Sequence, residues 1–116
     1  MIPTRVHALS DYLLPLGIGL LSRNRRLGAP VRRLMTMGPI WHLAYALLTR
    51  YEGGVAPRIG MGTHLALDRA SAWSFVASGL LMRRQPLAQR LLLVAIGVGE
   101  LALVSRSSAH SRAARQ

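Results

Sequence analysis

Four apolar stretches, separated by arginine-rich or Gly/Pro-rich breaks, make up most of this chain. They run from about Thr4 to Leu21, Leu34 to Thr49, Ile59 to Met82 and Leu87 to Val104. No stretch shows the strict alternation of a strand, and Leu91-Leu92-Leu93-Val94-Ala95-Ile96-Gly97-Val98-Gly99 offers no polar face. At the helical rise, stretches of roughly 16 to 24 residues cover a hydrocarbon core of about 30 Å. The pattern predicts an all-α fold, a four-helix transmembrane bundle over residues 1–104 with a basic tail at 105–116. A soluble four-helix bundle would need a polar face on every helix. A signal peptide built on Leu13–Leu21 is set aside because Asp11 sits in the wrong place for one.

The pattern repeats. His7-Ala8-Leu9-Ser10-Asp11 and His64-Leu65-Ala66-Leu67-Asp68 share the spacing His-x-x-x-Asp at an offset of 57 positions. At that same offset Ile2 matches Ile59, Arg26 matches Arg83, Arg33 matches Arg90 and Leu34 matches Leu91. Two duplicated helical hairpins are predicted, at about 2–50 and 59–104. Two helices separate the copies, so both point the same way and their pseudo-twofold axis lies along the membrane normal.

Charge adds topology. The 116 residues carry 15 basic and 4 acidic side chains, a formal net charge of +11, and every basic residue is Arg. Hydrophobic residues still make up 51%, which excludes a disordered basic tail. The arginines flank apolar spans instead of forming one stripe, so nucleic-acid binding is set aside in favour of anionic lipid headgroups or an acidic partner surface. The contact residues proposed are Arg23, Arg25, Arg26, Arg32, Arg33, Arg83, Arg84, Arg106, Arg112 and Arg115. Loops 22–33 and 83–90 hold most of the charge. They are expected on the cytoplasmic side of a bacterial inner membrane, with both termini outside. The lack of Cys removes disulfides, thiolate catalysis and Cys-based metal sites.

Candidate chemistry gathers at one depth. Residues four apart stack on one helix face, so His7 lies over Asp11 and His64 over Asp68. With alternating helix direction, His42, Glu52 and Glu100 fall in the same outer layer. Pro15 frees the carbonyl of Asp11 beside its carboxylate. Three readings stand open. His7–Asp11 and His64–Asp68 are satisfied structural pairs, with Arg5, Arg50 and Arg69 neutralising what remains. Alternatively His7, Asp11, His64 and Asp68, with His42 and Glu100 nearby, hold a divalent metal, or two imidazoles hold a haem. A proton or ion pathway is the third. Ala70/Ser74/Ser78 and Ala95/Gly99 have the small-residue spacing of helix contacts, and Trp41 and Trp73 are read as core packing. No Ser-His-Asp set, Walker loop or dinucleotide fingerprint is present, and Gly53-Gly54 reads as a turn.

Ile2-Pro3-Thr4-Arg5-Val6-His7 with Asp11-Tyr12, Leu48-Thr49-Arg50-Tyr51-Glu52, and Met61 with His64-Leu65-Ala66-Leu67-Asp68 resemble the SPW-repeat family of small bacterial integral membrane proteins. The resemblance spans the first three helices and implies tandem two-helix units. At the name-giving Ser-Pro-Trp position this chain has Ser22-Arg23-Asn24. The expected function is that of a non-enzymatic accessory or structural subunit without cofactor, in a larger membrane complex of respiratory or photosynthetic type. A metal- or haem-binding bundle and an ion pathway are the alternatives.

Overall fold

A computed structural model describes residues 1–107. It is all-helical, with α1 at Thr4–Leu21, α2 at Ala29–Leu47, α3 at Met61–Leu81 and α4 at Leu87–Ser105. Among the described residues there is no strand, only two isolated bridges. Three helices begin and end within about two residues of the predicted stretches. The second begins five residues earlier than expected, so the arginine-rich break is shorter than it looks. Gly28 is its extended N-cap and Pro30 sits in its first turn, where a missing N–H costs nothing. Arg32 and Arg33 are therefore helical.

Each helix buries one narrow stripe at steps of three and four. On α1 it is Thr4, His7, Ala8, Asp11, Pro15 and Ile18; on α2 it is Val31, Met35, Pro39, His42, Tyr45 and Ala46. On α3 it is Met61, His64, Leu65, Asp68, Ala72, Phe75 and Gly79; on α4 it is Leu93, Gly97, Glu100 and Val104. The stripes are partly polar, whereas the outward faces are apolar. Leu13, Leu16, Trp41, Trp73, Leu80 and Val98 are each more than half exposed. Trp41 and Trp73 are thus outside the core, contrary to expectation.

By length and apolar content, α4 alone among the described residues meets the requirement for a membrane span. Four spans are not supported on that criterion. The inward-facing His and Asp of α1–α3, with arginines toward their ends, dilute their apolar content. The tertiary fold, not hydropathy, separates these polar side chains from the apolar exterior.

Packing follows the hairpins: α1 lies along α2 and α3 along α4, while α2 and α3 meet over a shorter distance. Helices α3 and α4 approach so closely that a Cβ on Gly97 would lie 2.5 Å from the Ala72 carbonyl, and one on Gly79 would lie 2.6 Å from that of Arg90. The small-residue faces predicted from spacing are not these. Ala70, Ser74, Ala95 and Gly99 are exposed, and a Cβ on Gly99 would meet open space. Arg90, counted as a loop charge, instead caps α3 by donating to the carbonyls of Gly79 and Leu80.

Two bridges tie the hairpins together. Ile2 pairs with Ser107, and Ile59 pairs with Thr49. Each hairpin's leading segment is thus clasped to the other hairpin's trailing segment. Beneath the clasps lies the polar layer. Apolar clusters bound it, one built on Ala8, Met61, Leu65 and Val104, the other on Ile18, Met35, Phe75 and Leu93.

Candidate functional site

Asp11 and Asp68 each lie two turns into their helices, α1 and α3, and come together in the centre of the bundle. Three imidazoles surround them. His7 Nε2 is 2.9 Å from Asp68 Oδ2 and 3.3 Å from Asp11 Oδ1. His64 Nε2 is 3.1 Å from Asp11 Oδ2 and 3.3 Å from Asp68 Oδ2. His42 Nε2 is 2.8 Å from Asp11 Oδ1. The pairs predicted within one helix therefore exist, but the shorter contacts cross between repeats. His7 and His64 are fully buried, and Asp11 and Asp68 nearly so.

Two tyrosines complete the carboxylates. Tyr45 Oη donates to Asp68 Oδ1 and Tyr51 Oη to Asp11 Oδ2, both at 2.6 Å. Burial, and then the contact with Asp11, push the Tyr51 hydroxyl well above its ordinary range, so it stays a donor. Its loop is held by space. A Cβ on Gly54 would lie 1.8 Å from the Thr49 carbonyl and one on Gly53 2.9 Å from Ala8 Cβ, while neither glycine has positive φ.

The outer nitrogens of His7 and His64 fix which inner nitrogen faces the carboxylates. His64 Nδ1 lies 2.7 Å from Thr49 Oγ1, whose proton goes to the Tyr45 carbonyl at 2.6 Å. His7 Nδ1 lies 2.6 Å from Ser107 Oγ, whose proton goes to the Leu103 carbonyl at 2.7 Å. A hydroxyl has a single proton to give, so each must accept from its imidazole. Both Nδ1 atoms thus carry hydrogen. In a neutral imidazole Nε2 is then a lone pair, aimed here at carboxylate oxygens that are also acceptors. Two arrangements that remove that conflict are a proton shared between each Nε2 and a carboxylate, and one divalent cation shared by the four groups. Each supplies two positive charges to two carboxylates.

The ligand atoms of His7, Asp11, His64 and Asp68 all lie within 4.8 Å of one another. Donors on one divalent ion sit about 2.0–2.2 Å from it, which in a tetrahedral shell places them about 3.3–3.6 Å from one another. The His–Asp separations of 2.9 to 3.3 Å are already near that, and the wider pairs would have to close by about 1 Å. His64 Nε2 has no hydrogen-bond partner of acceptable geometry although it is fully buried.

The remaining predicted residues divide. His42 joins the cluster and stacks on Tyr45 at 5.0 Å. Glu52 is exposed at the rim, where it accepts from Thr4 Oγ1. Glu100 is buried but makes no hydrogen bond to the cluster, and its Oε2 is unpartnered among the described residues. Arg5, Arg50 and Arg69 are exposed, and among the described residues each close ion contact joins a histidine to an aspartate, so these arginines do not neutralise the site. Arg23, Arg25, Arg26, Arg33, Arg83, Arg84 and Arg106 are exposed and Arg32 is half-buried. Arg112 and Arg115 lie outside the described residues.

Sequence reasoning missed Thr49 and Ser107 and assigned Tyr45 and Tyr51 no part in the site. Tyr45 and Thr49 follow His42 by three and seven positions on one helical face, which is a readable signal. Tyr51 and Ser107 arrive from segments beyond helix ends, where no periodicity announces them. Comparison with protein-family models, with curated proteins and with solved structures gives no match.

Proposed function

We propose that this chain is a membrane-embedded, non-enzymatic four-helix protein whose His7/Asp11/His64/Asp68 cluster is a resident divalent-metal centre. The observation that carries the metal reading is the pair of hydroxyls, Thr49 and Ser107, that commit both Nδ1 atoms and turn both Nε2 atoms onto the carboxylates. Two neutral imidazoles and two carboxylates suit a hard-to-borderline ion such as Zn²⁺, Mn²⁺, Fe²⁺ or Co²⁺. The enclosure of the site favours an ion held in place over one that turns over substrate. A macrocycle would need the space that the two carboxylates fill, which favours an ion over haem.

The membrane reading is supported by the inside-out distribution of the helices: histidines and aspartates within, Leu, Trp and Val without. The arginine excess at 22–33 and 83–90 supports a cytoplasmic location for that end, against anionic headgroups.

The test is titration of chelator-treated protein with Co²⁺ in detergent. We expect one ion per chain, a visible ligand-field band and about two protons released per ion, since each imidazolium must shed one. His64→Ala abolishes the band while helical circular dichroism is retained. Absence of both the band and proton release overturns the metal reading. It leaves the second one, a double imidazolium–carboxylate pair inside a structural subunit of a larger membrane complex. That reading is supported by the close approach of both imidazoles to both carboxylates, at 2.9 to 3.3 Å, and it predicts partner chains in fixed ratio after gentle purification.

A further inference from the structure

The arginine-rich end of the bundle holds a recess of about 390 Å³ between the end of α1 and the first turns of α2, lined by Ser22, Ala29, Arg32, Arg33, Thr36 and Met37. Two of these residues are cationic and none is acidic. All four acidic side chains of the protein lie elsewhere: Asp11, Asp68 and Glu100 are buried in the bundle, and Glu52 accepts from Thr4 at the opposite end. Among the described residues neither Arg32 nor Arg33 has an ion contact. The two hydroxyls of the wall are already committed. Ser22 Oγ donates to the Gly19 carbonyl at 2.5 Å, and the single proton of Thr36 goes to Ser22 Oγ at 3.0 Å or to the Arg32 carbonyl at 2.8 Å. The side-chain donors the recess offers are therefore its guanidiniums. Arg32 is half-buried with Nε closed and without a hydrogen-bond partner among the described residues, so its open face is the pair of terminal nitrogens. Arg33 beside it is exposed. Helix α4 pins the start of α2 beneath them: Gly28 N–H donates to Gln89 Oε1 at 2.8 Å, and Gln89 Nε2 donates to the Arg26 carbonyl at 3.1 Å. A half-buried guanidinium without a counter-ion carries a desolvation cost that an external anion offsets. Two adjacent guanidiniums match the several acceptor oxygens of a phosphate.

We propose that this recess binds a phosphate group, held by the terminal nitrogens of Arg32 and Arg33. A lipid phosphomonoester and free phosphate share that chemistry. Exposed Met37 in the same wall gives the first acyl carbons of a lipid an apolar contact. The inference deepens the reading of this end as facing anionic headgroups, from a diffuse attraction to one built site. It is independent of the metal centre, since Arg32 lies ten positions before His42 on α2, about 15 Å at the helical rise.

Calorimetric titration of the full chain in neutral detergent micelles tests it, with inorganic phosphate and dioctanoyl phosphatidic acid as probes. The salt is held at about 0.15 M, which screens distant charges. Saturable binding at one probe per chain is expected; tighter binding of the phosphatidic acid assigns the site to lipid, and equal affinity assigns it to free phosphate. Arg32→Gln and Arg33→Gln should each weaken binding about tenfold, the value of one charge-assisted hydrogen bond. Arg33 is exposed, so its variant reads the site without disturbing packing if Arg32→Gln fails to fold. Arg84→Gln removes the same charge from the same end and should change affinity by no more than about twofold. Equal losses from Arg33→Gln and Arg84→Gln overturn the proposal and leave the diffuse attraction to headgroups standing. Failure of both probes to saturate is equally fatal.

Discussion

A threonine hydroxyl decides what His64 offers to the middle of this protein. Thr49 has given its proton to the backbone, so it fixes a hydrogen on His64 Nδ1 and leaves Nε2 turned inward. Partners behind a metal ligand are worth about 10- to 100-fold in affinity. Thr49→Val should therefore weaken Co²⁺ binding by about that factor, while Thr49→Ser, which keeps the hydroxyl, should restore it. Equal affinity in all three forms would mean that the hydroxyl does not set the tautomer. At this scale the sequence is readable in part. The spacing of His7 with Asp11 and of His64 with Asp68 finds four of the central residues, and shared depth adds His42. It says nothing of Ser107, which reaches His7 across 100 positions of chain.

At the scale of the helix, glycine positions separate two kinds of surface. Gly97 touches α3 so closely that no side chain fits, whereas Gly99, two residues on, faces open space. Gly97→Val should cost about 1–3 kcal/mol through forced separation of α3 and α4. Gly99→Ala should be neutral or slightly stabilising by chain entropy. Thermal unfolding in detergent, followed by circular dichroism, measures both. The extent of the helices was legible because apolar runs end at Gly, Pro and Arg. Which face turns inward was not legible from small residues, since Ala, Ser and Gly occur all round α3 and α4. The polar residues carry that information. Stepping by three and four from His64 and Asp68 leads to Ala72, Phe75 and Gly79, and stepping back from Glu100 leads to Gly97 and Leu93.

For the whole molecule, the membrane reading makes the two ends of the bundle chemically distinguishable. The chain has no cysteine of its own, so single substitutions report without background. In sealed inside-out vesicles a membrane-impermeant maleimide should modify Arg84→Cys and leave Arg58→Cys untouched. Right-side-out vesicles should reverse the result. Modification of both sites from one side would rule out a spanning bundle with the arginine-rich loops in the cytoplasm. The four-helix order was legible from the apolar runs, and one repeated spacing pointed to the residues at its centre. The crossing of contacts between repeats was not, because a pattern within one helix is silent about its partner.

That crossing also bears on how the protein is made. Ile2 is clasped to Ser107, and His7 depends on a hydroxyl supplied by that same residue. While α1 and α2 emerge from the ribosome, Asp11 can find His42 and Tyr51, but the second carboxylate, the third imidazole and the final hydroxyl are still unsynthesised. The first hairpin must therefore wait with its chemistry half answered, and the site closes only when the last turn of α4 has been delivered. Assembly of the centre is thus a signal that translation of the bundle has run to completion.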